Sequence, residues 1–297
     1  VRQPTDYLRG ILLALAGIAV LSPDGLIIRL IWADEWTLLF WRGLLTSVSL
    51  FLGLVFVHKK DILPAFQALG KKGLFAACVQ AMGTIFFVLA ITHTSVANTL
   101  IILGATPLWA ALYSRLFLKE HIFLRTYLAI PAAMLGIYIT TQATAGVAIG
   151  DLYAICAALF ISAQSVIVRS AKPVDLTPSL VIGGLFIALA ALPNAHPLGI
   201  AQQDALYFSL LGFIILPVSF ALLIAAPRHI PAPEVNLIML LEIILGSYWV
   251  WFFLDEQPTP HALVGGCVVM ITVAAHTYLG LKANKATRGN PTQVDFP

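Results

Sequence analysis

The sequence predicts an all-α integral membrane protein of ten transmembrane helices, built as two inverted five-helix repeats around a central cavity. Three observations carry that prediction. The composition is too apolar for a soluble domain, the connections between apolar stretches alternate between basic and non-basic, and the two halves of the chain resemble each other weakly.

Of the 297 residues, 60% are hydrophobic and 10% charged, with a mean hydropathy of +0.92. Soluble domains carry roughly a quarter charged residues. About 20 apolar residues suffice to cross about 30 Å of hydrocarbon as a helix. Stretches of that kind lie near 8–31, 36–57, 73–93, 95–118, 122–142, 150–170, 178–194, 204–226, 232–254 and 259–281. The connections HKKDILP, KEH, TQATAG, SAKPVD, NAHPLG, RHIPAPE and DEQPTPH hold most of the proline, charge and turn residues. None of them has the length of a soluble domain. The first stretch runs on past Pro23 into IIRLIW without a preceding basic cluster or a small-residue cleavage site, so it reads as a span and not as a signal peptide. Cys78, Cys156 and Cys267 fall inside spans, where a thiol serves as small apolar filler. They suggest neither a disulfide framework nor a metal knot, and no cofactor is expected.

Positively charged connections stay on the cytoplasmic side of a membrane. With the N-terminus inside, every one of the 17 basic residues except Arg29 and Arg42 falls on an inner segment. The outer connections around 93–95, 143–149, 195–203 and 255–260 contain no Lys or Arg. This alternation fits an even number of spans in an inner membrane, with both termini cytoplasmic. The net charge of +3 then reflects topology, and no nucleic-acid partner is implied.

The repeat appears on self-comparison. RGILLALAGIAVLSPDGLIIR (9–29) lies over IGDLYAICAALFISAQSVIVR (149–169), so that Ser22 meets Ser162, Asp24 meets Gln164 and Arg29 meets Arg169. At a slightly shorter offset HTSVAN (93–98) meets HIPAPE (229–234), LFLKEH (116–121) meets FFLDEQ (252–257), and Thr106 meets Glu242. Five spans per copy make the second copy enter the membrane from the opposite side. Such inverted repeats suit secondary transporters, whose halves exchange conformations about a central site. The expected units are 1–142, 149–282 and a cytoplasmic tail at 283–297.

Two five-span copies, each with a Leu/Phe-rich helix that ends in an acid (SRLFLKEHIFLRTYLAIPAAMLGIYI and WVWFFLDEQPTPHALVGGCVVMITVAA), resemble the drug/metabolite transporter superfamily, in particular its EamA-type members. The resemblance implies a transporter with spans three, four and nine around the cavity. Its nearest branch is the exporters of amino acids, aromatic ones included. Thr272 stands where the first half has Gly136, and Glu242 is an unusual charge for the ninth span.

A charge near the bilayer centre costs at least about 2.5–3.5 kcal/mol on insertion scales, so each calls for a partner or a water-filled cavity. Asp24, Arg42 and Glu242 stand inside spans. At about 1.5 Å per residue, Asp24 lies roughly 24 Å from the inner face on span one and Arg42 roughly 9 Å below the outer face on span two. In a core about 30 Å thick these depths nearly coincide. Either the two form a salt bridge that ties spans one and two, or one of them faces the cavity and meets a charged end of the substrate. The depth match needs no substrate and favours the brace. Pro23 kinks the helix and Gly25 admits a neighbour, as at a broken-helix site or a merely tolerated kink. Glu242 and Thr106 both fall near the midplane, where the acid is either a proton carrier or a neutral hydrogen-bonding group.

Gln164, beside Ser162 and Ser165, repeats the Ser22/Asp24 pair. Gln80, Asn98, Asn236, Tyr113, Tyr248 and Trp249 lie in the cavity-lining spans that the resemblance implies. Trp32, Trp36 and Trp41 fit an interfacial aromatic belt. HExxH, the phosphate loop GxxxxGK[ST], an intramembrane GxSxG and a histidine pair at i and i+4 in a span are all missing from the sequence, which argues against zinc proteolysis, ATP-driven transport and enzymatic activity. The expected function is export of small organic solutes, most of all amino acids, by alternating access, with a small-molecule substrate, the lipid bilayer and a coupling proton as partners. The rivals are a drug or nucleotide-sugar carrier of the same fold and a pore or structural subunit. The lack of a lysine in any span speaks against a doubly anionic phosphate sugar.

Overall fold

Proline sets where several helices of this chain start or break. The computed structural model describes residues 4–58, 62–119, 124–141, 148–171, 174, 176–226, 229 and 238–289, which are helical with no strand among them. The first apolar stretch is two helices, α1 (Pro4–Leu21) and α2 (Asp24–Leu30). Pro23 has no N–H for Ala19 O, the carbonyl four residues back. Ser22 Oγ donates to that carbonyl instead, at 3.0 Å, and α2 begins afresh at Asp24. The fourth stretch breaks in the same way into α6 (Val96–Leu103) and α7 (Thr106–Leu118). There Pro107 withdraws the N–H owed to Leu103 O, and Thr106 Oγ1 donates to it at 2.5 Å. In each case the hydroxyl residue just before the proline satisfies the carbonyl that the proline abandons.

The stretches between are continuous helices: α3 (Glu35–His58), a short α4 (Ile62–Gln67), α5 (Gly70–His93), α8 (Leu124–Thr141), α9 (Ile149–Ser170) and α10 (Thr177–Ala191). Next come α11 (Gln202–Ser209), a π-helical turn at Leu210–Ile215 and α12 (Leu216–Ala225). Pro217 explains the turn, since its missing N–H forces the ladder to widen, and Leu216 N–H reaches back to Leu211 O. The last helices are α13 (Leu241–Leu254) and α14 (Pro260–Gly289). Helix α14 runs into the expected tail as far as Gly289, and 290–297 lie outside the described residues.

Among the described residues, six stretches are long and apolar enough to cross a membrane: Leu8–Leu30, Glu35–Val57, Gly70–His93, Val96–Leu118, Ile149–Val168 and Gln202–Leu223. Four further apolar helices, Tyr127–Thr140, Thr177–Ala191, Leu241–Leu254 and Pro260–His276, are shorter. They fall on the expected fifth, seventh, ninth and tenth spans. Large apolar side chains such as Phe56, Phe117, Leu128 and Ile271 stand exposed on the exterior. Lipid solvates such a surface and water does not, so the protein is a multi-pass membrane protein.

Helix α3 packs on α10, α8 on α14, α5 on α9 and α10, and α1 on α12. Helices α6 and α7 lie against α9, while α13 meets α1, α2 and α6. Where α3 crosses α10, a Cβ on Gly43 would stand 2.6 Å from Gly184 O, and one on Gly184 2.8 Å from Gly43 O. Only glycine permits that approach. Ser47 Oγ secures the crossing by donating to Val181 O at 2.8 Å. Gly136 of α8 is similarly pressed on Gly265 O of α14. The small partner is thus Gly265 and not Thr272, the residue in register with Gly136.

Candidate functional site

Asp24 opens α2 and Arg42 sits in α3, and both are buried, at 4% and 5% exposure. Arg42 donates from Nη1 to Asp24 Oδ1 at 2.5 Å and from Nη2 to Oδ2 at 2.8 Å. This two-pronged pair is the strongest arrangement a guanidinium and a carboxylate can take. The guanidinium also lies over the Phe87 ring, 5.8 Å from its centroid. The depth argument is thereby realised as a brace between the first two spans. Gly25 beside it lets Val96 of α6 approach, where a Cβ would stand 2.8 Å from Val96 Cγ1.

The break before Pro23 is also where α13 meets α1. Trp249 Nε1 donates to Ser22 Oγ at 2.8 Å, so one hydroxyl links the freed Ala19 carbonyl to the indole. Glu242 lies two helical turns before Trp249 on that side of α13 and is half-buried, within electrostatic reach of Asp24. Ile243 next to it packs on Gly104, two residues before Thr106. The contact joins α13 to the α6–α7 break, where Thr106 begins α7. The carbonyl of Thr106 accepts from Ser162 Oγ of α9 at 3.0 Å.

The other expected site residues are more scattered. Gln164 is half-buried, two residues beyond Ser162. Gln80 points its Oε1, which has no hydrogen-bond partner, at Gly183 of α10. Asn98 is buried in the first turn of α6 and gives its Nδ2 to Asp151 Oδ1 at 3.5 Å. Tyr248 is half-exposed and stacks on exposed Phe252, away from the Asp24–Arg42 pair. Asn236 lies outside the described residues. Of the three tryptophans given to an interfacial belt, only Trp32 is exposed. Trp36 and Trp41 pack against the core, with Trp41 stacked on Phe208 at 6.4 Å between centroids, because their stretch of α3 faces the bundle.

Sequence reasoning missed a polar layer at one end of the bundle. Arg29 Nη2 donates to Thr94 O at 2.6 Å and lies 3.6 Å from Glu256. Thr94 Oγ1 donates to Asp151 Oδ1 at 2.8 Å, Trp32 N–H to Asp204 Oδ1 at 3.1 Å, and His196 N–H to Thr37 Oγ1 at 2.7 Å. His93 lies 3.5 Å from Glu35. These bonds join the connections after α2, α5, α8, α10 and α13. They are the five that the basic-residue alternation places on one side. Asp34 belongs to this layer. Burial pushes its carboxyl up, but the Thr37 hydroxyl, the Thr37 and Trp36 N–H groups and the nearby His196 outweigh that and hold it below the usual carboxylate range. At the opposite end Leu69, Ala76, Ala171 and Leu176 form a small apolar cluster between the connections that precede α5 and α10.

An all-helical, multi-pass bundle with buried charges paired between helices and paired proline breaks at its centre has the build of a membrane transporter. The chain belongs to the EamA-like transporter family, whose model matches residues 8–142 and 148–277. Among curated relatives, the pseudopaline exporter CntI of Pseudomonas aeruginosa is 25% identical over 224 residues, 70% of this chain and 76% of that protein. The uncharacterized transporter YdfC of Bacillus subtilis is 24% identical over 197 residues, 63% of each chain. A solved crystal structure of a protein superposes with a TM-score of 0.64, covering 92% of this chain and 98% of that one. At 16% identity that likeness is one of fold alone. Members of the family and the named relatives are transporters.

Proposed function

We propose that the protein is a secondary transporter of the inner membrane that exports small organic solutes, amino acids including aromatic ones foremost, by alternating access. Its ten spans form two inverted five-helix repeats, 1–142 and 149–282, followed by a tail at 283–297, with both termini cytoplasmic. The observation that carries this reading is a packing pattern that survives exchange of the halves. The contact of α5 with α9 has its counterpart in α12 with α1, and that of α6 and α7 with α9 in α13 with α1 and α2. Helices α3 with α10, and α8 with α14, are each their own counterparts. Halves so related can exchange conformations about a shared centre.

The site at that centre comprises Glu242, Trp249, Thr106 and Gln164 around the Asp24–Arg42 brace, with Gln80, Asn98 and Tyr248 as outer members and Asn236 included on its sequence position alone. A carboxylate and an indole on one side of α13 suit a solute with an ammonium group and an apolar side chain. The Pseudomonas relative is an exporter, which supports the outward direction.

Counterflow in liposomes tests the reading. Labelled amino acid should exchange against unlabelled amino acid, whereas equilibration that ignores the unlabelled pool identifies a pore. Exchange of cationic dyes and not of amino acids identifies a drug carrier. Glu242 is the coupling-proton carrier in this scheme, so Glu242→Gln should flatten the pH dependence of transport in a well-folded variant. An unchanged profile returns Glu242 to a bundle hydrogen-bonder. Reporter fusions at residue 297 and in the 59–72 connection should read cytoplasmic, and one at 145–148 periplasmic.

A further inference from the structure

Asp151 and Asn98 are buried polar groups that the transport scheme leaves unused in any charged pair. Asp151 is fully buried and Asn98 is 3% exposed. One carboxylate oxygen of Asp151, Oδ1, accepts from Thr94 Oγ1 at 2.8 Å and from Asn98 Nδ2 at 3.5 Å. The other, Oδ2, has no partner, and neither has Asn98 Oδ1. Two bare acceptor oxygens therefore flank one contact in a place closed to solvent.

An acid in the first turn of a helix ordinarily meets water or caps backbone N–H groups. Asp151 instead faces across to the α5–α6 corner, where its partners are neutral. A buried carboxylate held by neutral donors alone is strongly disfavoured, and a second bare acceptor beside it compounds the deficit. A cation satisfies both oxygens at once. The charged groups facing this end of α9 are Arg29 from α2, His93 from α5, Glu35 from α3 and Glu256 from the α13–α14 connection. Arg29 is engaged with Thr94 O and Glu256, and His93 lies edge-on to Tyr153 and beside Glu35.

We propose that Asp151, Asn98 and Thr94 form a binding site for a small monovalent cation, sodium or a proton, that bridges Asp151 Oδ2 and Asn98 Oδ1. Occupation ties the start of α9 to the α5–α6 corner and so steadies the polar layer through Thr94. Binding requires nothing of the transport reading; only its use as a coupling ion rests on it.

Thermal unfolding of the purified full-length protein in detergent tests the site, comparing sodium chloride with N-methylglucamine chloride at equal ionic strength across neutral to mildly acidic pH. A melting temperature raised by sodium identifies sodium as the occupant; one raised by acid and indifferent to sodium identifies the proton. Asp151→Asn keeps the shape and brings an N–H to Asn98 Oδ1. That variant should lose the response while melting, without cation, close to the occupied wild type. Asn98→Ala retains the carboxylate and should need about tenfold more cation for the same shift. His93→Gln, a control for the nearby imidazole, should respond as wild type does. A wild type unmoved by either cation overturns the proposal, as does Asp151→Asn or His93→Gln behaving oppositely to these expectations. Failed counterflow with an intact cation response rejects the transport reading alone, and the reverse rejects the site alone.

Discussion

Asp24 and Asp151 are both acids in the first turn of a helix, both buried, and they have opposite surroundings. Asp24 meets a guanidinium with both oxygens matched, whereas Asp151 meets a hydroxyl and an amide with one oxygen left over. Burial alone therefore does not tell what an acid does in this bundle. The first ties two neighbouring spans by an ion pair, and the second joins α9 to the α5–α6 corner through neutral donors alone.

The sharpest way to break the contrast is to strip each acid of its match. Asp24→Asn leaves Arg42 as an unpaired buried cation and should cost about 3–5 kcal/mol. The double change Asp24→Asn with Arg42→Gln should recover much of that loss in melting temperature. A stable Asp24→Asn variant with weakened transport would make Asp24 a substrate contact and erase the contrast. On the other side, Thr94→Val removes the hydroxyl donor of Asp151 and should cost about 1.5–3 kcal/mol, the range for a hydrogen bond to a charged group. A neutral result in thermal unfolding would show that another donor replaces it.

Asp34 sharpens the comparison from the surface, and its effect should be the smallest. Its folded carboxyl titrates below the unfolded one, so its contribution to stability is full above the unfolded value and is lost as pH falls through the folded value. Asp34→Asn should lower the melting temperature slightly at neutral pH, where the contribution is full, and converge with wild type in acid, so that the decline below about pH 4 is flattened. A variant that loses as much stability in acid as at neutral pH would assign Asp34 to packing.

The difference between the two aspartates also marks what the sequence could reveal. Asp24 and Arg42 lie on adjacent spans, and a count of residues from each membrane face placed them at one depth. The apolar stretches and the basic alternation are equally local signals, and each expected stretch holds helix among its described residues. Asp151 sits two residues into a span, where an acid looks like an ordinary helix start, and its partners come from a corner more than fifty residues away. The same holds for Arg29 with Glu256, and for Trp41, whose inward face depends on where α11 and the π turn lie. Ser22 and Thr106 were legible in principle, because a hydroxyl residue directly before a proline inside an apolar run predicts its own bond to the abandoned carbonyl.

The glycine crossing of α3 and α10 has a mechanical consequence. Most helix contacts interlock side chains like gear teeth, so turning one helix on the other forces rotamers to jump. At Gly43 and Gly184 two backbones touch with no teeth between them. At that point the spacing is set by backbone against backbone, and what resists turning is the Ser47–Val181 hydrogen bond beside it. A larger residue at either position would act as a wedge: Gly43→Ala would force these helices apart at their tightest contact.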